Sequence, residues 1–167
     1  TRKVDYKGVE IDEFDLNSAL ERSPDVLLVD ELLHTNPPRF RHKKRWQDIE
    51  ELLDAGINVY TTLNVQHLES LNDVIASITG VFVKETVPDY IVDKADKIEL
   101  IDIATDDLKA RFDEGKIYKK ENVDKAKSNF FTDDNLKALR ELSLRKTADT
   151  VNSVVQISRL SKGNINI

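Results

Sequence analysis

The feature that most constrains the fold is an uninterrupted apolar run, Val26–Val29, which ends in the acidic residues Asp30 and Glu31. A run of this length predicts a strand that is buried on both faces, as is usual in parallel sheets. Pro24 stops any helix that precedes the run. The chain should therefore be built around an interior strand of an α/β domain.

Strand patterns alternate with helical patterns along the chain, which is the order found in right-handed βαβ units. Further strands are predicted over residues 57–63, 81–83 and 98–103. Caps and apolar spacing predict helices that begin at Asp15 and at Thr105, and others over residues 46–53, 68–78, 123–130 and 135–160. We expect residues 1–104 to form the back part of an α/β domain, 105–163 its helical C-terminal part, and 164–167 the start of a linker.

The last predicted helix has two apolar faces. At 100° per residue, one face carries Leu136, Leu139 and Leu142, and a nearly opposite face carries Leu144, Ala148, Val151 and Val155. A break near Ser143 would let both pieces pack on the same domain. Alternatively, the second half of one long helix packs on another domain or subunit.

The apolar run with its acidic end has the form of a Walker B strand. A carboxylate at the C-terminal tip of a central strand, here Asp30, can hold the Mg²⁺ shell of a bound nucleotide. The next carboxylate, Glu31, can polarise an attacking water. Many strands end in acidic turns without such chemistry, so the motif alone is weak. It favours a P-loop NTPase-like parallel sheet with flanking helices, followed by a helical C-terminal segment.

Polar side chains follow the next predicted strand and should reach the same sheet edge as Asp30. Thr61, Thr62, Asn64 and Gln66 could contact a γ-phosphate, Mg²⁺ or its water. The alternative is that Asn64 only caps the following helix and its polar neighbours are exposed.

A basic stretch, residues 39–45, follows the acidic turn. Arg41 and Arg45 are candidate phosphate contacts, although a solvated positive loop would have the same composition. Trp46, at helical spacing, is interpreted as a core residue. The histidines, His34, His42 and His67, lack the spacing of a helical zinc site, so no metal is expected beyond Mg²⁺ at Asp30.

The phosphate cradle G-x-x-x-x-G-K-[ST] is absent from the sequence, because its five glycines are far apart. The chain begins with Thr1 rather than Met, and we expect it to be a piece of a longer protein whose cradle lies upstream. The net charge of −6 disfavours a general nucleic-acid partner. No apolar run is long enough to span a membrane, and the absence of Cys suits a reduced compartment.

Several longer strings resemble the N-terminal cytoplasmic domain of the osmosensitive potassium-channel sensor histidine kinases, the KdpD family. They are LVDELLHTN at 28–36, RWQDIEELL at 45–53, YTTLNVQHLESLND at 60–73, ETVPD at 85–89, NFF at 129–131 and ALREL at 138–142. The resemblance covers essentially the whole chain and is specific.

The resemblance implies a membrane-bound two-component sensor kinase that controls a high-affinity potassium transporter. Its N-terminal domain looks like a P-loop NTPase that binds ATP with Mg²⁺ and regulates the balance of kinase and phosphatase activities. Asp30 and Glu31 match the family's Walker B position, and Walker A would precede Thr1. The phosphoacceptor histidine belongs to the distant kinase core, so no catalytic residue is expected here and the chain alone should be inactive.

The resemblance also implies where the chain lies and what it contacts. It should be a cytoplasmic domain of an inner or plasma membrane protein, attached to the membrane only through other parts of that protein. Its partners would be the downstream domains, with a homodimer as a further candidate. The functional alternatives are a regulatory ATP-sensing domain, a signalling or interaction module that no longer uses nucleotide, and, least favoured, a free-standing hydrolase.

Overall fold

The computed structural model describes residues 1–6, 8–114 and 130–163, with side chains up to residue 150 apart from that of residue 112. Its helices and strands form two compact units. The first comprises Thr1–Glu69 and Lys84–Ile91, and the second comprises Ser70–Val83 and the described residues from Val92 onward. The elements in chain order are β1 (Arg2–Tyr6), β2 (Val9–Glu13), α1 (Leu16–Arg22), β3 (Val26–Val29), α2 (Arg45–Asp54), β4 (Asn58–Thr61), α3 (Asn72–Thr79), α4 (Asp89–Asp93), α5 (Thr105–Asp113) and α6 (Asp133–Gly163).

The first unit opens with an antiparallel hairpin that the sequence analysis did not predict. Strand β1 pairs with β2 in a register that sets Val4 opposite Ile11. Gly8 adopts a φ of 80° at the turn, a conformation that costs glycine little. The hairpin ends at Glu13, which is buried and leads directly into the candidate site.

Strands β3 and β4 form a two-stranded parallel sheet, with Leu28 opposite Tyr60 and Val29 opposite Thr61. The prediction of these strands is confirmed. The prediction that the apolar run is buried on both faces is wrong: Val29 is 3% exposed, whereas Leu28 is 79% exposed and Tyr60 66% exposed. Within the described part of the chain, only one face of this sheet is covered by packed elements.

Helices α1 and α2 supply that cover. Asp15 caps α1 by accepting a hydrogen bond from the Ser18 backbone N–H at 3.2 Å, and this bond lowers the pKa of the Asp15 carboxyl. Ile49 and Leu52 on α2 pack into one core cluster with Leu16, Ala19 and Val29. Trp46 packs against this cluster as predicted, and its ring meets that of Tyr90 edge to face at 6.1 Å.

The second unit is helical. Ile75 of α3 is fully buried, and Leu136 and Leu139 of α6 are buried as well. Arg140 of α6 donates two hydrogen bonds to the carboxylate of Asp102, at 2.6 and 2.5 Å. This bidentate pair joins α6 to the segment that precedes α5, and it lowers the pKa of Asp102.

Several predictions for this part of the chain are corrected. Residues 81–83 and 98–103 form no strand, because they pair with no other described segment. The chain makes 3-10 turns at Val65–His67 and Glu69–Leu71 before α3 begins, where a helix from residue 68 was predicted.

Helix α6 is also continuous from Asp133 to Gly163, so of the two alternatives for this segment the break near Ser143 is wrong. Among the described side chains of α6, Leu136 and Leu139 are buried and Leu144 is exposed. The predicted linker over 164–167 lies outside the described residues. The predicted helix over 123–130 lies outside them as well, except for its last residue. No helix in the described part of the chain is both long and apolar enough to cross a membrane.

Candidate functional site

The carboxyl ends of the two parallel strands bring Asp30 and Thr62 together. Asp30 follows β3 and Thr62 follows β4, and the Thr62 hydroxyl donates a hydrogen bond to Asp30 Oδ1. The Thr62 carbonyl oxygen also accepts a bond from the Leu32 N–H at 3.1 Å. The pairing of the strands therefore places an exposed carboxylate and a hydroxyl side by side, as the sequence predicted for this edge.

Glu31 is held in an unusual backbone conformation beside this pair. Its φ of 56° lies in the left-handed region, which a residue with a Cβ adopts at some energetic cost. The Glu31 N–H donates to Asp30 Oδ1 at 2.9 Å and approaches Thr62 Oγ1 at 3.3 Å. The same Asp30 oxygen is thus bonded twice, and the Glu31 side chain points into solvent with 65% exposure.

The other residues predicted on this edge lie nearby in sequence but not in the hydrogen-bonded group. Thr61 is the exposed last residue of β4. Asn64 precedes the 3-10 turn Val65–His67, and its side chain makes no capping hydrogen bond. The alternative role of Asn64 as a helix cap is therefore not found. Gln66 lies inside that turn. No hydrogen bond in the described part of the chain links Asn64 or Gln66 to Asp30.

A buried ionic cluster behind Asp30 was not predicted. Glu13, at the end of β2, is 5% exposed, and Arg45, at the start of α2, is 9% exposed. Arg45 Nη2 donates to Glu13 Oε2 at 3.1 Å, while Arg45 Nη1 donates to the Asp30 carbonyl oxygen at 3.0 Å. His34 Nε2 lies 3.0 Å from Glu13 Oε2. The guanidinium of Arg45 therefore faces the protein, and its predicted role as a phosphate contact stays a prediction.

Arg41, the other predicted phosphate contact, belongs to a separate surface group. It donates hydrogen bonds to Glu51 and, at 2.6 Å, to Asn17 Oδ1. His42 Nε2 lies 2.7 Å from the second oxygen of Glu51. The His42 contact, with the nearby charge of Arg41, lowers the pKa of Glu51.

The loop between β3 and α2 is fixed at its base by polar contacts. The backbones of Thr35 and Lys44 form an isolated antiparallel bridge, and the side chains of both contact Glu85. The Thr35 hydroxyl and the Lys44 ammonium lower the pKa of Glu85. The basic stretch therefore belongs to a loop that is closed at its base by the Thr35–Lys44 bridge.

A buried hydrogen bond joins this loop to helix α2. Asn36 Nδ2 donates to Asp48 Oδ2 at 2.6 Å, and both residues are buried. Burial raises the pKa of the Asp48 carboxyl, although the bond from Asn36 opposes the rise. Helix α2 thus carries, at its contact with this loop, a carboxylate whose charged form is disfavoured by its surroundings.

The three histidines have separate partners. His34 contacts Glu13, His42 contacts Glu51, and His67 Nδ1 lies 2.8 Å from the Glu85 carbonyl oxygen. Among the described residues, no group of three or more His, Cys, Asp or Glu side chains is arranged to hold a metal ion. Mg²⁺ in nucleotide sites is commonly held by one or two protein groups together with the phosphates, so Asp30 and the Thr62 hydroxyl fit that role by their chemistry.

Comparison with known proteins gives the class of this chain. Residues 1–151 match the family model described as "Osmosensitive K+ channel His kinase sensor domain". The match covers most of the chain, and the chain therefore belongs to this family.

Individual relatives carry the name KdpD. The chain is 62% identical to "Sensor protein KdpD" of Clostridium acetobutylicum over 166 residues, which are 99% of this chain and 18% of that protein. It is 55% identical over 154 residues to "Sensor protein KdpD" of Escherichia coli K12, covering 92% of this chain and 17% of that protein. A "Putative sensor protein KdpD" of Synechocystis is 47% identical over 150 residues, covering 90% of this chain and 40% of that protein. The chain thus corresponds to a minor portion of the larger sensor proteins.

Proposed function

We propose that this chain is part of a regulatory ATP-binding domain of a two-component sensor histidine kinase that controls potassium transport. The family assignment supports the sensor-kinase context. The observation that supports nucleotide binding is the pair at the strand ends, in which Thr62 and the Glu31 N–H both bond Asp30 Oδ1. These two bonds fix the orientation of the Asp30 carboxylate and therefore the direction of its other oxygen. A fixed orientation suits an acidic group that holds the Mg²⁺ of a bound nucleotide.

The proposal includes further strands beside β3 and β4, so that the complete domain has a P-loop NTPase-like parallel sheet. Parallel sheets are normally covered on both faces, and a sheet of two strands is marginal alone. Leu28 and Tyr60 leave one face apolar and uncovered among the described residues. Residues upstream of Thr1 would supply the missing strand, its covering helix and the phosphate cradle.

In that domain the chain's own residues have distinct tasks. Asp30 and Thr62 would hold Mg²⁺, and the metal would neutralise phosphate charge. Glu31, Thr61, Asn64 and Gln66 would line the phosphate side of the site. The domain would lie in the cytoplasm, with the downstream domains of the same sensor kinase as its partners.

The test is nucleotide binding by the intact sensor protein with and without Mg²⁺. Asp30→Asn should weaken Mg-ATP binding at least tenfold and leave binding in EDTA nearly unchanged, because the substitution removes only the metal-facing charge. Asp54→Asn is the matched control, since Asp54 is an exposed aspartate at the end of α2. Equal Mg-ATP affinity of the parent protein and Asp30→Asn would refute the role of Asp30.

A second candidate is an interaction module that no longer uses nucleotide, and the exposed apolar residues Leu28 and Tyr60 favour it. In that case the uncovered sheet face binds another domain of the sensor. The intact protein would then bind no ATP through this domain, and Leu28→Ser would disturb signalling where Asp30→Asn would not.

A further inference from the structure

The buried cluster of Glu13 and Arg45 is the strongest feature that the proposed function does not use. Both side chains are almost completely buried, and they form an ion pair with Nη2–Oε2 at 3.1 Å. Arg45 Nε is also buried and has no hydrogen-bond partner among the described residues. Such a cluster is costly to desolvate, and replacing buried ion pairs by apolar residues often leaves stability unchanged or higher. Stability alone is therefore a weak explanation for this buried cluster.

Arg45 bonds the loop that presents Asp30 at two points. Its Nη1 donates to the carbonyl oxygen of Asp30 at 3.0 Å, and its backbone N–H donates to the carbonyl oxygen of His34 at 3.0 Å. Between these points lies Glu31, with its left-handed φ of 56°. A strained residue persists only where its surroundings over-determine its conformation. Arg45 supplies that restraint on one side of the loop, and Thr62 supplies it on the other.

Glu13 fixes the direction of the guanidinium. Its Oε2 accepts from Arg45 Nη2, and the ring of His34 lies 3.0–3.1 Å from both of its carboxylate oxygens. The charge of Arg45 is thus balanced by Glu13, a residue of the hairpin, rather than by Asp30. Asp30 keeps its own charge free for a cation.

We propose that Arg45 and Glu13 are positioning residues, which hold the backbone of Asp30 and Glu31 so that the Asp30 carboxylate is aimed at Mg²⁺. This inference rests on the proposed nucleotide site. It assigns Arg45 to the orientation of the metal-binding group and not to contact with phosphate. It also gives the hairpin β1–β2 a part in the site, because Glu13 is its last residue.

The first test compares Arg45→Lys with Arg22→Lys in the intact sensor protein. Lysine keeps the charge but cannot donate to the Asp30 carbonyl and to Glu13 in the same planar geometry. Arg45→Lys should lower Mg-ATP affinity about tenfold, within the range seen when groups behind metal ligands are changed, and should alter ATP affinity in EDTA less than twofold. Arg22→Lys, at an exposed arginine in the last turn of α1, should leave both affinities unchanged.

The two possible roles of Arg45 give different results. Equal losses of affinity with Mg²⁺ and in EDTA would show a phosphate contact and would overturn the positioning role. Unchanged affinity in both conditions would overturn it as well, provided that Asp30→Asn weakens Mg-ATP binding. If Asp30→Asn has no effect, the proposed nucleotide site fails, and the positioning role is decided by the backbone measurement alone.

That measurement is amide hydrogen exchange at Glu31 and Leu32 in the present chain without nucleotide. Arg45→Lys should speed exchange at both amides about tenfold relative to Arg22→Lys, because the loop loses a restraint. Glu13→Gln, which keeps the shape of the side chain, should give a smaller increase in the same direction and serves if Arg45→Lys does not fold. Unchanged exchange at both amides in a folded variant would overturn the inference.

Discussion

Replacing the buried carboxylate of Asp48 by an amide should stabilise the chain at neutral pH. Asp48 is buried, and its desolvation raises the pKa of the carboxyl despite the hydrogen bond from Asn36 at 2.6 Å. Asn at this position can accept the same bond through its Oδ1 and carries no charge. A charge-assisted bond contributes about 1 kcal/mol more than a neutral one, so part of the gain from removing the charge is lost. We expect Asp48→Asn to raise the free energy of unfolding by about 1 kcal/mol at pH 7.

The pH dependence of this effect follows from linkage. Because the pKa of Asp48 is higher in the folded chain than in the unfolded chain, the folded state binds the proton more tightly. The charged group costs stability above the folded-state pKa, and this cost disappears as the pH falls below the unfolded value, near 3.8. The advantage of Asp48→Asn should therefore be largest at pH 7 and absent in acid.

Urea unfolding followed by the fluorescence of Trp46 measures this difference. Trp46 is the only tryptophan, and it packs against the core that α2 shares with α1 and β3. Asp12→Asn is the control, since Asp12 is an exposed aspartate on β2. A destabilisation by Asp48→Asn at pH 7, or a stability difference that does not change between pH 7 and pH 4, would refute the reasoning.

Two further substitutions test the packing and the backbone. Leu52→Ala should lower the free energy of unfolding by about 3 kcal/mol, because Leu52 is completely buried. Leu53→Ala, at a neighbour that is 45% exposed, should lower it by less than about 1 kcal/mol. Similar losses for the two variants in urea unfolding would contradict the assignment of Leu52 to the core. Ser23→Gly should raise the free energy of unfolding by about 0.5 kcal/mol. Ser23 ends α1 at a φ of 44°, so glycine removes a left-handed backbone cost of roughly 1–2 kcal/mol, but it also adds entropy to the unfolded chain. A lower thermal midpoint of the variant would contradict this account.

The fold was predictable where the local sequence signals are strong. Strand β3 and helix α2 follow from an apolar run and from apolar spacing, and both are found. The failures lie at residues 81–83 and 98–103, whose apolar composition satisfies a strand pattern but whose pairing partners cannot be read locally. The hairpin was missed although its turn carries a signal, Gly8 between Val4 and Ile11, because short alternating patterns with many charges are weak.

Part of the candidate site could also be predicted from the sequence. Asp30 and Thr62 meet because parallel strands end at one edge, and this is a rule of topology that a sequence can reveal. The link between Arg45 and Glu13 spans 32 residues and joins the last residue of β2 to the first residue of α2, so no local pattern predicts it. The composition of the basic stretch marks Arg41 and Arg45 as candidate phosphate contacts, but it does not reveal that Arg45 is buried and that Arg41 is paired with Glu51 at the surface.

The left-handed backbone at Glu31 affects how substitutions there should be interpreted. Alanine at this position would remove a carboxylate and keep a Cβ in an unfavourable region, whereas glycine would remove the carboxylate and relax the backbone at the same time. Glutamine is the informative replacement, because it keeps the Cβ and the length of the side chain and carries no charge. Any loss that follows Glu31→Gln then reports on the acidic group itself, whereas a loss with glycine mixes chemistry with chain geometry.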